Sequence, residues 1–252
     1  MDDTLKKIIR LSIIYGILLF ASFPAWAGDF QVSPITLELG QGVNSGVFTV
    51  INEGQEKINF QIAVSEWTQD GAGQDVYLET RDIVFFPKIM TLEVGEQRVI
   101  RVGLKGPRGR EEKTYRIFIE QIPSREKGDG VHIAVSIRFA PPIFVKPAQI
   151  TTSGAIDTIQ LVKGKISAVV RNTGNVHFRI TSIWIKGRSA AGAEVFSQEI
   201  AGWYLLHHVA RNIEASFPQE KCNELSSVEF EAKTENYNLN GQMDVHKGMC
   251  DQ

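Results

Sequence analysis

The chain has 252 residues, 43% of them apolar and 22% charged, with 22 glycines, 9 prolines, 2 cysteines and a formal net charge of −2. That balance excludes a disordered or collagen-like chain and a strongly basic nucleic-acid-binding one. Two cysteines exclude a disulfide-dense scaffold and a four-thiolate zinc site, but allow one bridge.

The first element is apolar. Lys6, Lys7 and Arg10 precede a run from Leu11 to Phe23 that closes with Ala25-Trp26-Ala27. A basic start, a short apolar core and a small-x-small end read as a secretory signal cleaved after Ala27. An uncleaved anchor is the other reading, because the run with its flanks approaches the ~17 residues a spanning helix needs. Cleavage leaves 225 residues with 24 basic and 27 acidic side chains, a net charge of −3. The expected product is exported, mildly acidic and without stable membrane insertion.

Beyond the signal, apolar residues recur at every second position and helical spacing is nearly absent. Ile58, Phe60, Ile62 and Val64 alternate along one segment, Tyr115, Ile117 and Ile119 along another, and Val228, Phe230 and Ala232 along a third. Such alternation marks half-buried antiparallel strands. Turn signals such as Asn52-Glu53-Gly54 and Asp70-Gly71-Ala72-Gly73 separate them. The first half is predicted to hold about seven strands, near 30–39, 46–52, 57–67, 76–86, 97–104, 114–122 and 131–139. The second is predicted to hold strands near 158–162, 165–171, 176–187, 194–200, 213–217 and 226–233. The implied fold is all-β, two tandem immunoglobulin-like β-sandwich domains packed at a fixed angle, over residues 28–145 and 146–252.

The stretch Ala140-Pro141-Pro142-Ile143-Phe144-Val145-Lys146-Pro147 marks the boundary. Three prolines cannot supply the ladder of a central strand, so it is expected to be an edge or a connection, with Ile143, Phe144 and Val145 under the joint. Export predicts a disulfide between Cys222 and Cys250, worth ~3 kcal/mol on a loop-entropy argument; two buried free thiols are the alternative.

Catalytic signals are lacking. The five histidines form no metalloprotease motif, there is no nucleophile elbow and no phosphate loop, and the carboxylates are scattered. His207 and His208 are adjacent, so their rings are expected to point apart and not to share a metal. No enzyme activity, cofactor, metal, nucleic acid or small-molecule substrate is expected.

The most regular alternation is Val131, Ile133, Val135, Ile137 and Phe139, against His132, Ala134, Ser136, Arg138 and Ala140. The prolines after it mark an edge strand, whose apolar row another protein's open sheet can use. On spacing alone, the row facing its own core is the favoured alternative.

Four segments in order resemble the periplasmic chaperones of the chaperone-usher pilus pathway: 86–102, with its proline, leucine, glycine and Arg-Val strand; 114–123, a Tyr-Arg strand closing in Ile-Pro; 131–139 followed by 143–147; and 171–177, an Asn-Thr-Gly turn. The resemblance implies a periplasmic chaperone that binds pilus or fimbrial subunits by donor-strand complementation and delivers them to an outer-membrane usher. It makes Val131, Ile133, Val135, Ile137 and Phe139 the inserting residues. In the best-known branch an arginine in the first strand and a lysine before the interdomain turn anchor the subunit's terminal carboxylate. The matching positions here, Ile35 or Thr36 and Pro142, are not basic, which implies a divergent branch with Arg101 and Arg138 as candidate anchors. A secreted two-domain adhesion or binding module is the competing function.

Overall fold

The computed structural model describes residues 30–40, 42–123, 135–162 and 164–250. The signal expected over 1–27, and Val131 and Ile133 of the apolar row, lie outside them. No helix among the described residues is long and apolar enough to cross a membrane.

The first sandwich is built from β1 (Phe30–Ser33), β2 (Leu37–Leu39), β3 (Ser45–Asn52), β4 (Ile58–Gln69), β5 (Asp75–Glu79), β6 (Ile83–Phe86), β7 (Ile89–Leu92), β8 (Gln97–Leu104), β9 (Lys113–Ile122), β10 (Arg138–Phe139) and β11 (Pro142–Val145). One sheet runs β1-β3-β8-β6. The facing sheet runs β2-β11-β9-β4-β5, with β7 also on β4 and β10 on β9. Period-2 alternation aims Phe48 and Val50, Phe60 and Ile62, Ile100 and Val102, and Ile117 and Ile119 into one core between the sheets. Each large apolar side chain buried there contributes about 1.5–3 kcal/mol.

Two predicted strands are each two elements. The 30–39 segment divides at Pro34, which has no N–H to continue a ladder, so β1 and β2 join opposite sheets. The 76–86 segment divides at a corner where the Asp82 carbonyl accepts from Lys105 N at 2.7 Å, so β5 and β6 also part. The proline-rich boundary differs from expectation as well. β11 lies inside the sheet, parallel to β2 and antiparallel to β9. Pro142 is its first residue and Pro147 follows its end, so neither removes an interior donor. Of the three residues expected under the joint, Ile143 and Val145 face the first core and Phe144 alone faces outward.

The second sandwich comprises β12 (Gly154–Val162), β13 (Lys165–Asn172), β14 (Phe178–Arg188), β15 (Glu194–Ala201), β16 (Tyr204–Leu205), β17 (Ala210–Ser216), β18 (Ser227–Thr234) and β19 (Asn238–Asp244). A β12-β13-β17 sheet faces a β15-β14-β18-β19 sheet with β16 on β14. Val228, Phe230 and Ala232 share its core with Ile166, Val170 and Ile185. A disulfide joins Cys222, in a 3₁₀ turn, to Cys250, with a Cα separation of 5.7 Å.

Both sandwiches use the same buried corner. The Asn52 side chain donates to the carbonyls of Glu56 and Leu92, and its oxygen accepts from Gly54 N at 2.9 Å. Asn172 donates to Val176 and Leu205 and accepts from Gly174 N at 2.9 Å. An asparagine can satisfy backbone groups of two strands at once, and this keeps the Asn-x-Gly turn dry.

Candidate functional site

β9 has two faces. Tyr115, Ile117 and Ile119 fill the core, so Thr114, Arg116 and Phe118 project from the outer face of the large sheet. That face looks toward the second sandwich. Trp67, Phe144 and Leu206 form a small apolar cluster across the joint, and His177 stacks on Phe144 at 3.6 Å between ring centres. The Glu112 carboxylate is fully buried beside it. One oxygen accepts from His177 N at 2.8 Å and lies 2.7 Å from His177 Nδ1. Gln69 closes the other side, donating to the Tyr204 carbonyl at 3.0 Å and accepting from Leu206 N at 2.9 Å.

Next to the joint lies Arg116. Its guanidinium sits 3.9 Å over the Trp67 ring, with Trp203 and Tyr204 at 5.6 and 5.8 Å. Nη1 donates to the Ala140 carbonyl at 2.6 Å. Nε and Nη2 are buried and have no hydrogen-bond partner. The residue is only 7% exposed, and burial pulls the guanidinium below its ordinary value. An arginine desolvated this far with two free donors can receive an oxyanion. The Trp203 ring above it is 42% exposed and held by one hydrogen bond, from Nε1 to Asp75 Oδ2 at 3.2 Å.

The described end of the 131–139 segment pairs with β9. Arg138 and Phe139, as β10, pair with Glu120 and Ile119, and Gln121 N donates to the Ile137 carbonyl at 3.0 Å. β9 is the one strand that β10 pairs with among the described residues, so the far side of β10 is an open edge. Within the described part of 131–139, regular strand covers only Arg138–Phe139. Val135 is 75% exposed and Ile137 39%, whereas Phe139 packs partly against the first core.

The two candidate anchors lie on different sheets. The Arg138 guanidinium sits 3.9 Å over the Phe118 ring, on the same face as Arg116, and 3.6 Å from the Glu120 carboxylate. Arg101, on β8, projects from the outer face of the opposite sheet, beside Val47 and Phe86. Sequence reasoning did not single out Arg116. The signal was the register: Arg116 is the cross-strand partner of Pro142, the position left without its lysine.

The described residues thus form two sandwiches, with an open edge at β10 and an arginine among aromatic rings on the neighbouring β9. Residues 29–151 match the family model for the pili and flagellar-assembly chaperone, PapD N-terminal domain. The probable fimbrial chaperone EcpE of Escherichia coli (strain K12) is 25% identical over 166 residues, which cover 62% of this chain and 63% of that protein. The match thus spans under two thirds of the relative's length. In fold, the chain is similar to one in the CsuC-CsuE chaperone-tip adhesion subunit pre-assembly complex of Acinetobacter baumannii. The TM-score is 0.61 at 17% identity, covering 84% of this chain and 98% of that one. It is also similar to one in the Salmonella enterica complex of SafA pilin with the SafB chaperone, with a TM-score of 0.53 at 12% identity, covering 87% and 98%. The first sandwich is thus matched, over 29–151, by the N-terminal domain model of the pilus-assembly chaperones.

Proposed function

We propose that the protein is a non-enzymatic periplasmic chaperone, exported by residues 1–27, that holds pilus subunits by lending them an edge strand and passes them to an outer-membrane usher. The donated row is Val131, Ile133, Val135, Ile137 and Phe139. The observation that carries the reading is the open edge at β10, where Val135 and Ile137 stand in solvent directly ahead of the strand. An incomplete sandwich offers an unpaired strand edge and an apolar groove, and this row supplies both main-chain partners and alternate apolar side chains. Five such side chains buried together give a gross transfer term of about 7–15 kcal/mol before ordering costs. Arg116 then receives the subunit's terminal carboxylate, with Trp203 swinging aside to admit it, and Arg138 borders the entry.

The test is co-expression with the neighbouring pilus genes and native mass spectrometry of what co-purifies. Wild type is expected as a one-to-one complex with a small secreted subunit. A variant with Ile133, Val135 and Ile137 changed to Ser is expected to fold and run alone. Wild type running alone with subunits present would overturn the reading and favour a secreted binding module.

A further inference from the structure

At the joint, side chains from both sandwiches converge on a second cluster. Glu111 comes from the loop between β8 and β9, and His207 and His208 from the turn between β16 and β17. Glu111 Oε1 lies 3.0 Å from His208 Nε2, and Oε2 lies 3.8 Å from His207 Nδ1. One donor atom from each of the three lies within 4.8 Å of the other two. Consecutive side chains in a strand point apart, which is why the sequence gives no hint of this. The turn reverses that rule. His208 holds φ at 59°, in the left-handed region, and Val209 N closes the turn onto the Leu206 carbonyl at 3.2 Å. The two imidazoles therefore meet edge to face, 5.3 Å between centres. His207 Nδ1 is buried and has no hydrogen-bond partner, and a buried polar atom left unpaired calls for a ligand.

We propose that Glu111, His207 and His208 form a binding site for a divalent cation of the zinc class, which clips the first sandwich to the second. Two imidazoles and a carboxylate are a zinc ligand set, with bonds of about 2.0–2.2 Å that place donors roughly 3.3 Å apart. The observed separations bracket that value. Closing the wider ones takes only rotation of the Glu111 and His208 side chains, which are more than half exposed. Imidazole donors select zinc, copper or nickel over magnesium and calcium. The buried Glu112 carboxylate adds negative charge nearby. Of the cations lining the same hollow, Lys113 is committed to Asp82 at 2.7 Å, leaving Arg110.

The experiment uses the untagged full-length product, stripped of metal and titrated with zinc chloride by calorimetry, with native mass spectrometry for stoichiometry. Wild type is expected to take one zinc per chain, with magnesium failing to compete. Glu111→Gln and His208→Ala are each expected to weaken binding at least about tenfold, since even outer-shell partners of metal ligands are worth 10–100-fold. His246→Ala is expected to bind as wild type does. Saturating zinc should raise the thermal midpoint of wild type and not of the two ligand variants. Absence of a stoichiometric zinc, or equal affinity in the ligand variants and wild type, would overturn the proposal. Each variant's midpoint without metal serves as the check that it folds.

Discussion

Arg116 shows how one residue's energetics separate stability from binding. A buried guanidinium with two unpaired donors costs several kcal/mol of desolvation, which its stacking on Trp67, about 2 kcal/mol when desolvated, offsets only in part. Arg116→Met should therefore change the unfolding free energy of the free protein by less than about 2 kcal/mol in chemical denaturation, while subunit co-purification falls sharply. A large loss of stability with binding intact would assign the residue to the fold instead. Asp82 works the other way. Lys113 Nζ at 2.7 Å, then the Tyr115 hydroxyl at 3.0 Å, hold its carboxyl below the usual carboxylate range. A depressed folded-state value contributes stability above the unfolded value of about 3.9, and this is lost as pH falls through the folded one. Thermal midpoints recorded from pH 6 to pH 3 should fall less steeply for Asp82→Asn than for wild type.

At the scale of elements, the disulfide is the simplest device. It closes a 28-residue separation between the 3₁₀ turn and the carboxy-terminal end, and the chain-entropy argument gives about 3.6 kcal/mol. Cys222→Ser with Cys250→Ser should lower the denaturation midpoint accordingly, and an unchanged midpoint would show that the second sandwich holds its end without it. This bridge was legible because cysteine count and export constrain it together. Strands with strict alternation, such as β4 and β18, were legible for the same kind of reason: one face is buried and the other is not. β19 was not. Its inward row is Leu239, Gly241 and Met243, and the glycine interrupts the pattern. A Cβ there would stand 2.9 Å from an Ile156 side-chain carbon and 3.0 Å from one of Ile159, so these side chains fill the space where alternation would put a large residue. β11 was misread because a proline count does not say where in a strand each proline falls. Arg116 was missed because its role depends on register with Pro142, and pairing between strands 26 residues apart leaves no local trace. The Glu111, His207 and His208 cluster needed both the interdomain contact and a left-handed turn.

For the whole molecule, the joint decides whether the edge strand and the cleft act together. Phe144 is the residue of β11 that leaves the first core to meet Trp67, His177 and Tyr204. Phe144→Ala removes a fully buried ring, which typically costs about 3–5 kcal/mol. Because that ring ties the sandwiches together, calorimetry should show two separated transitions in place of one, and a single lowered transition would place the ring's contribution in the first sandwich alone. Arg116 on β9 lies one strand pairing from β10 within the first sandwich, and the joint sets Trp203 and Tyr204 of the second against it; on the proposed reading a single subunit engages both. The most direct test of that account is amide hydrogen exchange over 131–139 in the free protein and in its complex with a pilus subunit. Strand donation predicts that these amides exchange quickly when free, with one side of the edge unpaired, and become strongly protected on binding along the whole row. A complex in which 131–139 exchanges as fast as in the free protein, with protection elsewhere, would contradict it.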